Sequence, residues 1–316
     1  MSPGTTIAVE GVTKTFGHIT ALKDVTFNVQ EGDIFGFLGP NGSGKSTLIR
    51  VLCGMLSLNG GRASVLGFDC ERETEQVKRR IGYMPQRFAL YPDLTVRENM
   101  ELYGSLYGIK RDRLRSRIEE VGGWLDLLQF QRQLSGTLSG GWKQRLSLAC
   151  SLLHDPPVIF LDEPTSGVDP VARAELWTIL LELAAQGKTL FVTTHYMDEA
   201  GRCNRLGYVY YSKLLALGTT EELTQLPAVT PPDTRWIEFV YPSAAQQLGT
   251  LLKLPHVRKG TVFGNNAHLL VDADASEQDL ERHFSDAAGM PINVMDARAT
   301  LEDVFVALTK ERDRRV

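Results

Sequence analysis

The chain has 316 residues, room for about two domains and a sizeable core. Lys and Arg total 34 against 38 Asp and Glu, a formal charge of −4, so there is no basic footprint for bulk nucleic-acid binding. Hydrophobic residues make up 43% and charged residues 23%, which excludes a disordered chain. The longest stretch free of Asp, Glu, Lys and Arg, Phe239–Leu252, is shorter than the roughly 18 apolar residues of a bilayer-spanning helix. The start, MSPGTTIAVEG, has no basic or apolar run, so no secretory signal is expected. Cys53, Cys70, Cys150 and Cys203 form no CxxC pair, which argues against a zinc site or disulfide framework and suits a reducing cytosol.

In chain order, Ile7–Val12, Val25–Val29 and Ile34–Gly39 read as strands, followed by a helical run over Thr47–Leu56. Residues 87–154 carry no convincing strand and read as a helical insertion, with Thr95 and Glu98 as a capping box. Val158–Leu161, Thr189–Val192 and Arg205–Tyr210 read as strands again. The first of these is apolar throughout, as a strand buried on both faces should be. Between them Ala172, Leu176, Ile179, Leu180 and Leu183 form one helical stripe. The alternation predicts a mainly parallel α/β sheet within a domain over residues 1–223.

Three prolines over 224–234 predict a linker. Beyond it, over 235–316, Trp236–Tyr241, Val257–Phe263, His268–Val271 and Ile292–Met295 read as strands. Ser243–Leu254, Glu277–Ala288 and Leu301–Lys310 read as helices, with Ser276/Asp279 and Thr300/Asp303 as capping pairs. The order βαββαβ predicts a small α+β, ferredoxin-like sandwich with one more helix.

Three motifs carry chemistry. Gly39–Ser46 reads GPNGSGKS, the G-x-x-x-x-G-K-[ST] pattern, between an apolar strand and a helix. Glycines at 39, 42 and 44 let backbone amides approach phosphate oxygens, and the helix start adds its positive dipole end. Lys45 would neutralise β- and γ-phosphates, and the Ser46 hydroxyl would bind Mg²⁺. Val158–Pro164, VIFLDEP, ends a buried strand in two carboxylates. Asp162 can hold Mg²⁺ through water, and Glu163 can polarise an attacking water. Leu138–Arg145, LSGGWKQR, places Ser139, Gly140 and Gly141 at another helix start, a second anion site or an ordinary cap.

Together these motifs closely resemble the ATP-binding subunit of ABC transporters, a P-loop NTPase fold, over about residues 5–225. GPNGSGKST is similar to the Walker A motif, VIFLDEP to Walker B and LSGGWKQR to the ABC signature. Gln86 in GYMPQ resembles the Q-loop glutamine, Asp169 in SGVD the D-loop aspartate, and His195 in TTHYMDEA the switch histidine. The resemblance implies an ATPase with ATP and Mg²⁺ as cofactors. It implies catalytic roles for Glu163, His195, Gln86 and Lys45, and nucleotide contacts from Gly39, Pro40, Asn41, Gly42, Ser43, Gly44, Lys45, Ser46 and Thr47. It also implies a metal set of Ser46, Gln86 and Asp162. Two such domains would pair head to tail, Ser139, Gly140 and Gly141 of one closing over the ATP held by Lys45 of the other. A second copy of the chain and an integral membrane permease are the implied partners, on the cytoplasmic face of the cell membrane, with no nucleic acid.

The signature departs from its usual form in Trp142, where Gln is common. Phe16 in KTFGHITAL takes the place of the aromatic that stacks on adenine. Phe88, Leu90 and Tyr91, just past Gln86, are expected as exposed contacts to the permease. The basic run Lys110–Arg117 reads as a solvated helix face. The ending TLEDVFVALTK resembles the extension of drug- and antibiotic-exporter ATPases of the daunorubicin-resistance type. The expected function is ATP hydrolysis powering export of drugs or other amphipathic molecules. The alternative is an ABC-type ATPase of DNA repair or translation. The segment between Lys45 and Ser139 is too short for a repair coiled coil, and the chain holds one motif set rather than a translation factor's two.

Overall fold

The computed structural model describes residues 4–241 and 244–313. The chain divides into two compact units, 1–217 and 218–316. That division falls ahead of the 224–234 segment read as a linker.

The first unit opens with the hairpin β1 (Thr5–Phe16) and β2 (Ile19–Gln30), then β3 (Ile34–Leu38) and α1 (Lys45–Leu52). Next come β4 (Gly60–Val65), β5 (Phe68–Asp69), α2 (Thr74–Lys78) and β6 (Ile81–Met84). The insertion is helical, as its sequence predicts, with α3 (Val96–Leu106), α4 (Arg111–Trp124) and α5 (Gly140–Leu152). The unit closes with β7 (Val158–Asp162), α6 (Pro170–Ala185), β8 (Thr189–Thr194), α7 (Met197–Ala200), β9 (Arg205–Tyr210) and β10 (Lys213–Gly218).

Two sheets result. Six strands run in the order β10-β9-β3-β8-β7-β6, with β9, β3, β8, β7 and β6 parallel to one another. The other four, β2-β1-β4-β5, are antiparallel. Every residue of β3, β7 and β8 is buried, as near-continuous apolar runs demand in a sheet covered on both faces. One core joins the two sheets and α1. At its centre Phe27 stacks on Phe35 at 5.0 Å, and Phe35 on Phe191 at 5.4 Å. Each such buried ring contributes about 1.5–3 kcal/mol by leaving water. The four thiols are buried and free, and burial pushes Cys70 and Cys203 up to about 12, so none is a reactive thiolate.

In the insertion, Thr95 caps α3 through a full capping box with Glu98. The wholly buried Asn99 binds the preceding loop. Its amide donates to the carbonyls of Tyr91, Leu94 and Thr95, and its Oδ1 accepts from the Tyr91 amide. Arg117, in the basic run, donates to the carbonyls of Leu152 and Leu153 and pairs with Glu120 at 2.7 Å. His154, given no role by the sequence, stacks on Tyr107 and is pushed down to about 4 by burial, so it is neutral structural filler.

The second unit begins with α8 (Thr220–Thr224) and β11 (Thr234–Val240), then α9 (Ala244–Leu251), β12 (Val257–Phe263) and β13 (Asn266–Asp272). It ends with α10 (Glu277–Ala288), β14 (Met295–Ala297) and α11 (Leu301–Asp313). Ser243, expected to open α9, lies outside the described residues. The sheet order β12-β13-β11-β14, all antiparallel, is the ferredoxin-like arrangement. Ile237, Phe239, Leu269 and Val271 face α9 and α10, with Phe239 stacked on Phe284 at 4.4 Å. The strand expected at Ile292–Met295 is displaced to Met295–Ala297. Side chains of α10 capture the amides that a ladder would need: Ser285 Oγ accepts from Ile292 and Glu281 Oε1 from Val294.

Candidate active site

The loop Gly39–Gly44 leaves β3 at its carboxyl end, and the sheet's parallel register brings the ends of β7 and β8 alongside. Backbone constraints explain its glycines. A Cβ on Gly39 would collide with the Val209 carbonyl, and one on Gly44, at φ 110°, with the Ala21 carbonyl. Gly44 therefore also seats the β1–β2 hairpin against the loop. Gly44 is the N-cap of α1 and supplies no side-chain cap, so the helix's first amides keep their donors for another acceptor. Ser43 Oγ is buried with no hydrogen-bond partner, although burying a hydroxyl without one is costly.

Around this loop the structure brings six sequence-predicted residues together. Lys45, 4% exposed, donates to the carbonyls of Gly39 (2.8 Å) and Pro40 (3.1 Å) and pairs with Glu163 Oε1 at 3.1 Å. Ser46 Oγ donates to Asp162 Oδ1 at 3.0 Å, and Thr193 Oγ1 donates to the same oxygen at 2.7 Å. Gln86 Nε2 donates to Glu163 Oε2 at 2.9 Å. His195 Nδ1 lies 3.3 Å from that oxygen, in an orientation outside hydrogen-bond geometry. Burial pushes the Asp162 carboxyl above its ordinary range; hydrogen bonds from Thr193 and Ser46 oppose this, and the neighbouring Glu163 charge adds to it. Glu163 sits at φ 49°, the left-handed region, held by its own amide donating to both Oγ1 and the carbonyl of Thr193. Serine, carboxylate and glutamine oxygens make a hard donor set, which fits Mg²⁺. The uncapped α1 amides, Lys45 and the unpartnered Ser43 hydroxyl fit a polyphosphate.

Other predicted residues lie elsewhere. Ser139 is the N-cap of α5 and is exposed, and its hydroxyl makes no capping hydrogen bond. Gly140 and Gly141 lie against Gly167, Val168 and Ala172, so close to the last that a Cβ at 141 would meet it at 2.7 Å. Asp169 caps α6, accepting from the amides of Val171 and Ala172. Trp142 packs inward on Phe130 at 4.6 Å and under the Arg145 guanidinium. Phe16 is 46% exposed at the hairpin tip, with Lys14 Nζ 5.1 Å from its ring. Of the expected docking residues Tyr91 is exposed and Phe88 half-buried, but Leu90 is buried and belongs to the core. Two functional-looking groups escaped the sequence reading: Asn99, described above, and Glu199, a buried carboxylate on α7.

A glycine-built phosphate cradle between a buried strand and an uncapped helix, facing an acidic strand end, defines a P-loop ATPase. A family model described as "ABC transporter" matches residues 22–166. The chain is 37% identical to the daunorubicin resistance ATP-binding protein DrrA3 of Streptomyces coeruleorubidus, over 99% of this chain and 98% of that one. It is 44% identical over 70% of its length to the probable multidrug ABC transporter ATP-binding protein YbhF of Escherichia coli, and spans only 39% of that relative. Among solved structures it resembles a dimeric, post-hydrolysis ATP-binding cassette bound to ADP and Pi, with 30% identity and a TM-score of 0.62 over 67% of this chain and 98% of that one. The chain belongs to the ABC transporter family. The DNA-repair and translation alternative is not favoured by these relatives.

Proposed function

We propose that the protein powers export of drugs or similar amphipathic molecules through a separate membrane permease, using ATP hydrolysed at two sites shared between two copies of the chain. The observation that carries this reading is the convergence of Lys45, Gln86 and His195 on one buried carboxylate, Glu163, beside the loop. Lys45 and the loop amides would hold the phosphates. Ser46 and Asp162, with Gln86, would hold Mg²⁺, which when bound supplies charge neutralisation to the phosphates. Glu163 accepts a proton from the attacking water, and His195 and Gln86 orient it. Phe16 offers an exposed ring for the adenine. The uncapped α5 terminus, Ser139–Gly141, closes over the partner's nucleotide, and Asp169 fixes the adjacent turn by capping α6.

Among the described residues no helix is long and apolar enough to cross a membrane. The first unit, 1–217, forms the motor, and the second, 218–316, an accessory domain. Tyr91, exposed and pinned by Asn99 just past Gln86, is the proposed permease contact, with Phe88 beside it. Tyr91→Ser should weaken membrane association in fractionated cells while leaving basal ATPase and Tm unchanged. Leu90→Ser, in contrast, should cost about 2–5 kcal/mol as a core change. Undiminished membrane association in the Tyr91 variant refutes the contact.

Glu163→Gln tests the motor. Turnover should fall by at least about 10²-fold, the scale of a lost general base, with ATP affinity retained. Near-wild-type hydrolysis would refute the base assignment.

A further inference from the structure

We propose that Glu199 is a positioning residue for hydrolysis: its buried carboxylate ties the turn after Glu163 to the strand end before His195. The proposal rests on the role given to Glu163 above.

Glu199 is 1% exposed, on the four-residue helix α7, and no step of the mechanism uses it. Its two oxygens take separate donors. Oε1 accepts from Thr165 Oγ1, and Oε2 from Thr194 Oγ1 at 2.6 Å. Thr165 lies two residues after Glu163, and Thr194 immediately precedes His195. Both threonines are themselves 1% exposed. Arg173, in the second turn of α6, brings its Nε to 3.7 Å from Oε1 and its guanidinium over the Tyr196 ring at 4.2 Å. The carboxylate thus joins three segments: the turn after β7, the end of β8 and the start of α6.

A buried ionised carboxylate is costly, and an apolar side chain would hold a short helix in place more cheaply. The geometry suggests what the charge is for. One residue earlier, Thr193 already stitches the strand ends, donating to Asp162 and accepting from the Glu163 amide. Glu199 adds the next stitch, from Thr194 across to Thr165. Between these stitches sits Glu163, at a left-handed φ that a non-glycine residue keeps only when its surroundings over-determine it. Loosening the second stitch frees the Pro164–Ser166 turn. The base and His195 then lose their fixed separation, and misplacement of about 1 Å can cost up to about 10²-fold in rate.

The test measures kcat, KM, ATP Kd and Tm on the full chain. Glu199→Gln removes the charge and one acceptor. Thr165→Val removes the hydroxyl from the other side at nearly constant volume, and Thr165→Ser restores it. Glu199→Gln and Thr165→Val should each lower kcat by roughly tenfold or more, with ATP Kd within about twofold. Thr165→Ser should keep kcat near wild type. The double variant should be no slower than the slower single one, because both break one link. The proposal fails if either single variant keeps wild-type kcat, if the losses multiply, or if turnover per ATP-binding molecule is unchanged and only Tm falls. Glu163→Gln is measured alongside. Full turnover there removes the base role itself, whereas lost turnover there with unaffected Glu199 and Thr165 variants removes only the link.

Discussion

The two units use buried polar groups in opposite ways. In the first, Lys45, Asp162 and Glu163 are buried around one point, and α1 and α5 begin without side-chain caps. In the second, the buried pair His268 and Asp303 and the N-terminus of α10 satisfy their own polar groups. His268 Nε2 lies 3.1 Å from Asp303 Oδ2, which also accepts from the amide and hydroxyl of Thr300. Ser276 caps α10 by accepting from the Asp279 amide. A fold with nothing to bind satisfies its donors internally, and a fold that must hold an anion leaves some helix amides for it. The first unit is built on the second plan, with the first amides of α1 and α5 left without a side-chain cap.

The carboxylates offer the largest test of this contrast. Asp162 is raised by burial, so its ionised form is disfavoured in the folded state. That cost is present at neutral pH and disappears as pH falls through the folded value. For Asp303 burial also raises, but hydrogen bonds from His268 and Thr300 outweigh it and the carboxyl ends below its ordinary range. Its contribution is present above the unfolded value and is lost as pH falls through the folded one. Asp303→Asn should therefore cost the second unit about 1.5–3 kcal/mol at pH 7, read as a lower Tm and a flatter response to acid. Asp162→Asn should raise the Tm of the first unit while ending turnover. A fall in Tm for Asp162→Asn would break the contrast.

Smaller effects are expected at the helix ends. Ser276→Ala should cost about 0.5–2 kcal/mol as a lost cap. Ser139→Ala should change stability by less than about 0.5 kcal/mol yet lower ATPase activity. Equal thermal losses in the two variants would mean that Ser139 is an ordinary cap.

Much of the motor was legible in the sequence because its chemistry is local. Gly39–Ser46 and Val158–Glu163 are contiguous, and strand, turn and helix follow from a few adjacent residues. Short or interrupted strands were not legible. β4 reads GGRASV and β6 reads IGYM, neither with an apolar alternation, and both are held by neighbours far along the chain. Leu90 misled because one leucine in a polar loop looks the same whether it faces solvent or core. Asn99 and Glu199 were invisible because their partners lie on separate segments: Asn99 bonds back to Tyr91 and Leu94, and Glu199 across to Thr165. The strand misplaced at Ile292–Met295 had the right composition, but α10 had already taken its amides.

The central claim is that each ATP is held by the loop of one copy and the α5 terminus of another. Lys45→Ala disables the loop, and Ser139→Arg blocks the α5 terminus. Each variant alone should be inactive. Mixed dimers contain one site free of both changes, so ATPase activity should return on mixing, in proportion to the mixed dimers formed. Mixed dimers demonstrated by tagged co-purification, yet as inactive as either parent, would contradict the shared site.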